Sequence, residues 1–532
     1  MRYSSPKTIV QQCKLPLVLK DTSYIEQKIE KMHGQCIGHG YAAAGIDSFV
    51  MANDTLFVFL YTGTRHYWGN VAYEGQHGLL GNISFRKGQP ANVLDINRAK
   101  KKLVEALENH GYPFASVGFK DASGHKDTIA GHFETLPGEF IVFDSLKNEG
   151  SLHISKKYLQ RYLELRPGQP YNEKLYVQAN NKLGLLPFAS AAGPTQVLFN
   201  RDKARVYTFL NKESVNRFNG IVGFGPNPDN EAKTLVTGNL ELWLINVLGR
   251  GESFNLYWKR LQVQSQKLDL MADVPFILGY GVGLSTRFSL LKQDSTFLTL
   301  NWRTATNWYI GGLNHVNISY RAVQSSSLNP GDSISNFKKN NPGAGFYYST
   351  LARPINPVQG LTIHANVEAG FKTYTIEGNE SSTRKLKGLE AQLELTGFVP
   401  LYNKMTLKTR GQAGYLRYSR LFLNELLRVG GLNSLRGFEE ESIYAKAYSI
   451  LTLEPRYIIN EKSHVMIFYD AAVLNSSLTA MRQIQWLQGL GAGLQLFSRG
   501  GLINLALAYG KVQGVPLEMN KPNVHIGYVA VF

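Results

Sequence analysis

A single arginine in the stretch VGGLNSLRGFEEE, residues 429–441, is the residue whose setting most needs a chemical explanation. Arg436 stands between Leu435 and the pair Gly437–Phe438, after two further glycines and just ahead of three consecutive glutamates. The stretch holds no nucleophile and no metal-ligand pattern. What a guanidinium offers is recognition: its planar fork can hold two carboxylate or carbonyl acceptors in fixed geometry, as lysine cannot. Gly437 allows a backbone conformation that a Cβ would obstruct, and Phe438 can wedge against an apolar wall. Taken alone, such a tripeptide reads most simply as a solvated loop arginine, with the glutamates at 439–441 keeping the loop soluble.

Other chemistries find little footing. GLGAGL at 489–494 has a glycine spacing like that of a dinucleotide fingerprint, but it lies within an alternating segment rather than at a strand-to-helix turn. The twelve histidines form no HExxH-type pair, and there is no G-x-S-x-G elbow. The patterns point away from an enzyme, and no cofactor or metal is expected. The formal charge of +17 invites a nucleic-acid partner. No dense basic run or nucleic-acid motif accompanies it, so the excess Lys and Arg read as dispersed over loops and a polar lining. Cys13 and Cys36 stand in no metal-binding spacing. An oxidising compartment would permit a disulfide between them, which two cysteines alone do not establish.

The elements that must position Arg436 follow from composition and periodicity. The 532-residue chain has 51 glycines, 28 tyrosines and 27 phenylalanines but only 18% charged residues, a balance that suits a large β structure. No run approaches the roughly 18–20 apolar residues of a membrane helix. A closed barrel needs none, because its backbone hydrogen bonds are satisfied between strands. From about residue 213 the period is two. GLEAQLELTGF sets Leu389, Ala391, Leu393 and Leu395 against Glu390, Gln392, Glu394 and Thr396. MTLKTRGQAGY likewise sets Met405, Leu407, Ala413 and Tyr415 against Lys408, Arg410 and Gln412. Sixteen such segments can be marked, among them 216–225, 342–354, 404–418, 443–459 and 522–532.

A soluble sandwich would alternate in the same way. The number of strands, and lengths that often exceed the roughly 9–11 residues of a tilted crossing, favour a transmembrane barrel. Even-numbered connections such as LGRG and INEKSH are short, and odd-numbered ones such as SSLNPGDSISNFKKNN are longer, the habit of outer-membrane barrels. Trp258, Trp302 and Trp308 are candidates for interfacial girdles. The final strand, NVHIGYVAVF, ends on Phe532.

The first 212 residues mix helical and strand patterns and carry a faint repeat. HGY occurs at His39 and at His110, PFAS at 113–116 and 187–190, and GQP at 88–90 and 168–170. Each GQP precedes a helical stretch such as INRAKKKLVEALENHG, and strand-like segments follow. Units of roughly 70–75 residues result, small for independent cores. The start, MRYSSPKTIVQQCKLPLVL, has no apolar segment of signal-peptide length, so an exported chain would have had its signal removed or its start trimmed.

Together these features resemble the BamA/TamA superfamily of outer-membrane assembly and translocation proteins. The resemblance implies a sixteen-stranded antiparallel transmembrane barrel at 213–532, preceded by α+β POTRA-like domains at 68–142 and 143–212. Residues 1–67 would be a partial or degenerate unit lacking an obvious first strand. The family's sixth extracellular loop, between strands eleven and twelve, carries a [VI]RGF-type motif that folds into the lumen. The strand count places Leu435, Arg436, Gly437 and Phe438 at that point, with Leu435 replacing the usual Val or Ile. Alternation supplies partners. Glu454 shares the polar face with Thr452 and Arg456, and Asp470 lies opposite Val465, Ile467 and Tyr469. The family's lumenal acids match these two positions, so Asp470 is expected as the primary partner of Arg436 and Glu454 as the secondary one.

The resemblance also implies a lateral seam between first and last strands. Gly220, Gly223, Gly225 and Gly527, with Phe532, are the residues expected there. The glycines would either cheapen an unzipped seam or relieve crowding at a bend. The implied function is non-enzymatic: an assembly factor that receives unfolded client proteins in the periplasm and inserts or translocates them. Chaperones or accessory lipoproteins are further candidate partners, and lipid surrounds the barrel. The alternative is a two-partner-type transporter that exports one dedicated protein through the lumen.

Overall fold

The computed structural model describes residues 2–3, 7–15, 25–52, 55–73, 83–121, 127–227, 230–260, 265–277, 281–328, 333–351, 356–376, 382–476, 484–498, 501–516 and 522–531. The chain divides into two compact units. Residues 1–145, 167–176 and 197–205 form one, and residues 146–166, 177–196 and 206–532 the other.

In the first unit the sequence repeat is a repeat of hydrogen bonds. The helices Ile25–Gly38 and Leu94–Glu108 are each followed by an HGY triplet. His39 Nδ1 meets Gln35 O at 2.8 Å, and His110 Nδ1 meets Ala106 O at 2.6 Å, so each ring ties back to the last helical turn. Gly40 and Gly111 then take φ of 98° and 102°, which favours glycine. Their carbonyls accept from His66 N at 2.7 Å and Ile141 N at 2.8 Å, just ahead of the next strand. The GQP turns match as well. Trp68 N donates to Gln89 O at 2.8 Å and Phe143 N to Gln169 O at 2.9 Å.

Helix Leu94–Glu108 buries Ala99 and Leu103, four residues apart, against Phe133. A first strand, not expected from sequence, is present: Arg2–Tyr3 runs parallel to Thr55–Tyr61. Two residues are too few for alternation to show. Cys13 and Cys36 are free thiols, buried with Val10, Met32 and Tyr41. Burial pushes the Cys36 thiol up to about 12.

The second unit is dominated by a closed antiparallel barrel. Eleven strands run consecutively from Arg217–Asn227 to Met405–Tyr418. Five more follow: Ala447–Ile458, His464–Asn475, Ile484–Ser498, Gly501–Val512 and Asn523–Val531. Alternation sends successive side chains to opposite faces. In the thirteenth strand, His464–Asn475, Val465, Ile467 and Tyr469 face outward, while Phe468, Asp470, Ala472 and Leu474 are buried inward. Trp302 and Trp308, six positions apart on the sixth strand, are both exposed.

Two expected boundaries moved. The eighth strand is Phe337–Ser349, not 342–354. Pro342 reads as a strand breaker, yet it sits within the sheet opposite Tyr320 while the inward residues Phe337, Lys339 and Asn341 are buried. The twelfth strand begins at Ala447 rather than 443, because Ile443–Ala445 turns away to pair with Leu427–Val429 inside the preceding loop.

At the end bearing the short even-numbered turns, the segment ahead of the barrel packs on the barrel itself. Ser155 N donates to Gly249 O at 2.6 Å, and the Tyr158 ring lies 5.5 Å from that of Phe276. Gly251 takes φ of 69°, and a Cβ there would lie 2.1 Å from the Tyr158 ring, so both backbone and packing require glycine.

Candidate functional site

Residues 419–446, between strands eleven and twelve, enter the lumen and carry the Arg436 motif. The loop bends at Gly430 and Gly431, with φ of 120° and 91°, and again at Gly437, with φ of 89°. Ser434 Oγ donates to Gly430 O and accepts from Gly430 N, both at 2.8 Å, closing a tight turn ahead of the arginine. Leu435 is fully buried in an apolar cluster with Val429, Ile450, Ala472 and Leu487, and Phe438 packs against it.

The guanidinium is 96% shielded and engages two strands at once. Nε and Nη2 donate to Asp470 Oδ2 and Oδ1 at 2.8 and 2.7 Å, a bidentate pair, and the backbone N of Arg436 adds a third bond to Oδ2 at 3.1 Å. Nη1 donates to Glu454 Oε2 at 2.5 Å. Glu454 is in turn held by Arg456 Nε at 2.7 Å, with Lys408 at 3.7 Å. The Phe468 ring stacks under the guanidinium, 3.6 Å from its centroid. Every charge in this buried cluster has a partner, the condition under which burying ions is tolerable.

Neighbouring strands contribute in a single row. Arg410 is in register with Thr452, Thr452 with Asp470, Asp470 with Gly489, and Gly489 with Gly510. Arg410 donates to the carbonyls of Asn433 and Ser434 at 2.9 and 3.2 Å. The two glycines let the loop backbone lie flat on the wall. A Cβ on Gly489 would sit 2.1 Å from Arg436 O, and one on Gly510 would sit 2.2 Å from Gly437 O. Asn523, opening the last strand, donates to Gly437 O at 2.7 Å. Glu441 ion-pairs with Lys267 on the fourth strand at 2.5 Å rather than being solvated.

Gly489, Gly510 and Asn523 were not expected at the site from sequence, and Arg410 was placed only on the polar face of its strand. The glycines did leave a signal: GLGAGL places glycine at 489, 491 and 493, every inward position of that stretch. Cβ atoms at 491 and 493 would meet Leu507 O at 2.1 Å and Leu505 O at 2.6 Å. The run is a flattened wall. Among the described residues no group of three His, Cys, Asp or Glu is placed to hold a metal.

The sheet closes differently elsewhere. Between first and last strands the described residues pair only as Arg217–Val531 and Phe218–Ala530, whereas strands one and two pair from Arg217 through Asn227. Gly220, Gly223 and Gly225 lie beyond the closing pairs, in register with Leu240, Thr237 and Leu235 of the second strand. Gly527 faces Asn504, and a Cβ there would make ordinary contact at 3.7 Å. Phe532 lies outside the described residues.

Several solved structures are similar to this chain. CdiB from Escherichia coli is 14% identical with a TM-score of 0.57, and the match covers 100% of both chains. CdiB from Acinetobacter baumannii is 11% identical with a TM-score of 0.54, covering 99% of this chain and 98% of that one. BamA from Haemophilus ducreyi lacking POTRA domains 1–3 is 16% identical over 88% of this chain and 100% of that one, with a TM-score of 0.43. No curated protein matches the sequence. Residues 246–521, more than half the chain, match the Omp85 superfamily domain. An outer-membrane β-barrel, the chain belongs to the Omp85 superfamily.

Proposed function

We propose that the chain is an outer-membrane protein assembly factor that inserts or translocates client chains through its barrel seam. The observation carrying this reading is the closure of the first and last strands by only the pairs Arg217–Val531 and Phe218–Ala530 among the described residues. Each missing rung removes backbone hydrogen bonds worth about 0.5–1.5 kcal/mol net in water. Such an edge invites an incoming strand, because added strands bind through main-chain bonds with little sequence demand. Residues 68–142 and 143–212 act as POTRA-like domains on the periplasmic side, with 1–67 as a further, degenerate unit, and hand unfolded clients to the barrel at 213–532. Chaperones or accessory lipoproteins would act at the same stage.

Arg436, held by Asp470 and Glu454, is the latch that keeps the loop in the lumen, with Leu435, Gly437 and Phe438 shaping it. Gly220, Gly223, Gly225 and Gly527 belong to the seam. A second reading, export of one dedicated protein through the lumen, draws on the charged lining. Arg303, Arg321, Lys339, Glu368 and Glu390 are ion-paired across neighbouring strands.

The two readings part at the seam. In the double variant Phe218→Cys/Ala530→Cys, oxidation would weld the closing strands. Under the assembly reading, welding arrests insertion of other barrels into the outer membrane and dithiothreitol restores it. Undiminished insertion with the weld formed would sink that reading and leave lumenal export.

A further inference from the structure

The loop that carries Arg436 also carries a buried carboxylate with no part in the cluster described above. Glu425 closes the short 3-10 turn Leu423–Glu425 near the loop's start, and its side chain is fully buried. Oε1 accepts from Lys372 Nζ of the ninth strand at 2.5 Å and from Phe422 N at 2.7 Å. Oε2 ion-pairs with Lys339 Nζ of the eighth strand at 2.8 Å. Lys339 is shared with Glu390 at 2.9 Å, and Lys372 also donates to Arg420 O at 2.5 Å. Lys372 Nζ lies 4.7 Å from the Phe422 ring centroid and 4.9 Å from that of Tyr418. Next to it, Asn424 Nδ2 donates to Ser325 Oγ at 2.8 Å and Ser335 O at 2.9 Å, and Leu423 N donates to Ser333 O at 2.7 Å.

The loop is therefore held by buried ion pairs at two places on different parts of the wall, with the partly exposed Glu441–Lys267 pair as a further contact. Residues 420–425 are tied to strands seven to nine and the connection after the seventh. Arg436, eleven positions on, is tied to strands twelve and thirteen. A segment held at one point can swing aside about that point. One held at two must release both, because the intact anchor keeps the other at high effective concentration beside its site. Both anchors are buried charge-assisted pairs, which separate only if their ions are rehydrated or re-paired.

We propose that Glu425 is a second, independent positioning residue of the loop, clasping it to Lys372 and Lys339, so that the lumen clears only when this clasp and the Arg436 cluster both part. The proposal rests on the reading of Arg436–Asp470 as a latch.

The test is ion conductance of the full chain in planar lipid bilayers, read as the fraction of time the lumen is open. Variants are Glu425→Ala, Glu425→Gln, Lys372→Met, Asp470→Ala and the double variant Glu425→Ala/Asp470→Ala. The expected result is an open fraction raised roughly tenfold by Glu425→Ala, and by roughly the product of the single effects in the double variant, as for separate sites. Glu425→Gln keeps the acceptor for Phe422 N but loses the charge, so it should open nearly as far as Glu425→Ala. Wild-type behaviour of Glu425→Gln would reduce Glu425 to a local cap and overturn the proposal. Unchanged conductance in both Glu425→Ala and Lys372→Met, with Asp470→Ala opening, would also overturn it while leaving the latch intact. No effect of Asp470→Ala instead removes the latch and, with it, the two-anchor proposal. If Glu425→Ala does not yield a folded, heat-modifiable barrel, Lys372→Met decides, since it leaves the Glu425–Lys339 pair in place.

Discussion

The wall at strands eleven to fifteen and the junction of strands one and sixteen belong to one sheet, yet they are built to opposite ends. At the wall, thirteenth and fourteenth strands pair continuously from His464–Gln495 to Asn475–Ile484. The inward row there carries Arg410, Asp470, Gly489 and Gly510 beneath a docked loop. At the junction, two register pairs close the barrel among the described residues. At the junction Phe218, Val524 and Tyr528 are exposed, as Val465, Ile467 and Tyr469 are at the wall. The difference lies in what faces inward and in how far the hydrogen-bond ladder runs. Side-chain bonds are concentrated where the loop docks, and the ladder is short where the first and last strands meet.

The sharpest way to break that contrast is to disarm the wall. Asp470→Ala would leave the buried Arg436 with Glu454 alone, and removing one partner of such a pair costs about 3–5 kcal/mol. The expected outcome is a loop cut by trypsin at least roughly a hundredfold faster, by the usual tenfold per 1.4 kcal/mol, with the barrel still heat-modifiable. A protease profile identical to wild type would remove the wall's claim to hold the loop.

A smaller and more pointed effect is expected from Gly489→Ala. The added Cβ would meet Arg436 O without touching any charge, so displacement should cost about 1–3 kcal/mol. Faster cleavage of the loop, with Asp470 and Glu454 unchanged, would separate backbone fit from ion pairing. The smallest effect belongs to the junction. Gly527→Ala adds a Cβ with ordinary 3.7 Å clearance, and thermal unfolding should move by no more than about 0.5 kcal/mol. A large loss of stability would show that this glycine relieves crowding at a bend and would weaken the contrast.

Much of the site was legible because alternation is a local signal. Glu454 and Asp470 could be set on the inward face from neighbours two residues away, and counting strands placed Leu435–Phe438 between the eleventh and twelfth. The eighth strand was misplaced for the same reason. Pro342 is a local breaker, and only its sheet neighbours, with Lys339 and Asn341 buried on the inner face, hold it in place. The repeated turns at Gly88 and Gly168 were visible as GQP, although their shared φ of 81° was not.

The sequence alone determined that sixteen segments alternate, the bounds of the eighth and twelfth apart, and the place of the arginine loop among them, because each is a relation between residues close along the chain. Only the tertiary structure decided that Asp470 takes the bidentate side of Arg436, that Gly489 and Gly510 are the floor beneath it, and that Glu425 reaches Lys372. It alone decided, too, that the described edges close through two pairs. These depend on register and closure around a barrel, which bring together residues dozens to hundreds of positions apart, and no local periodicity encodes that distance.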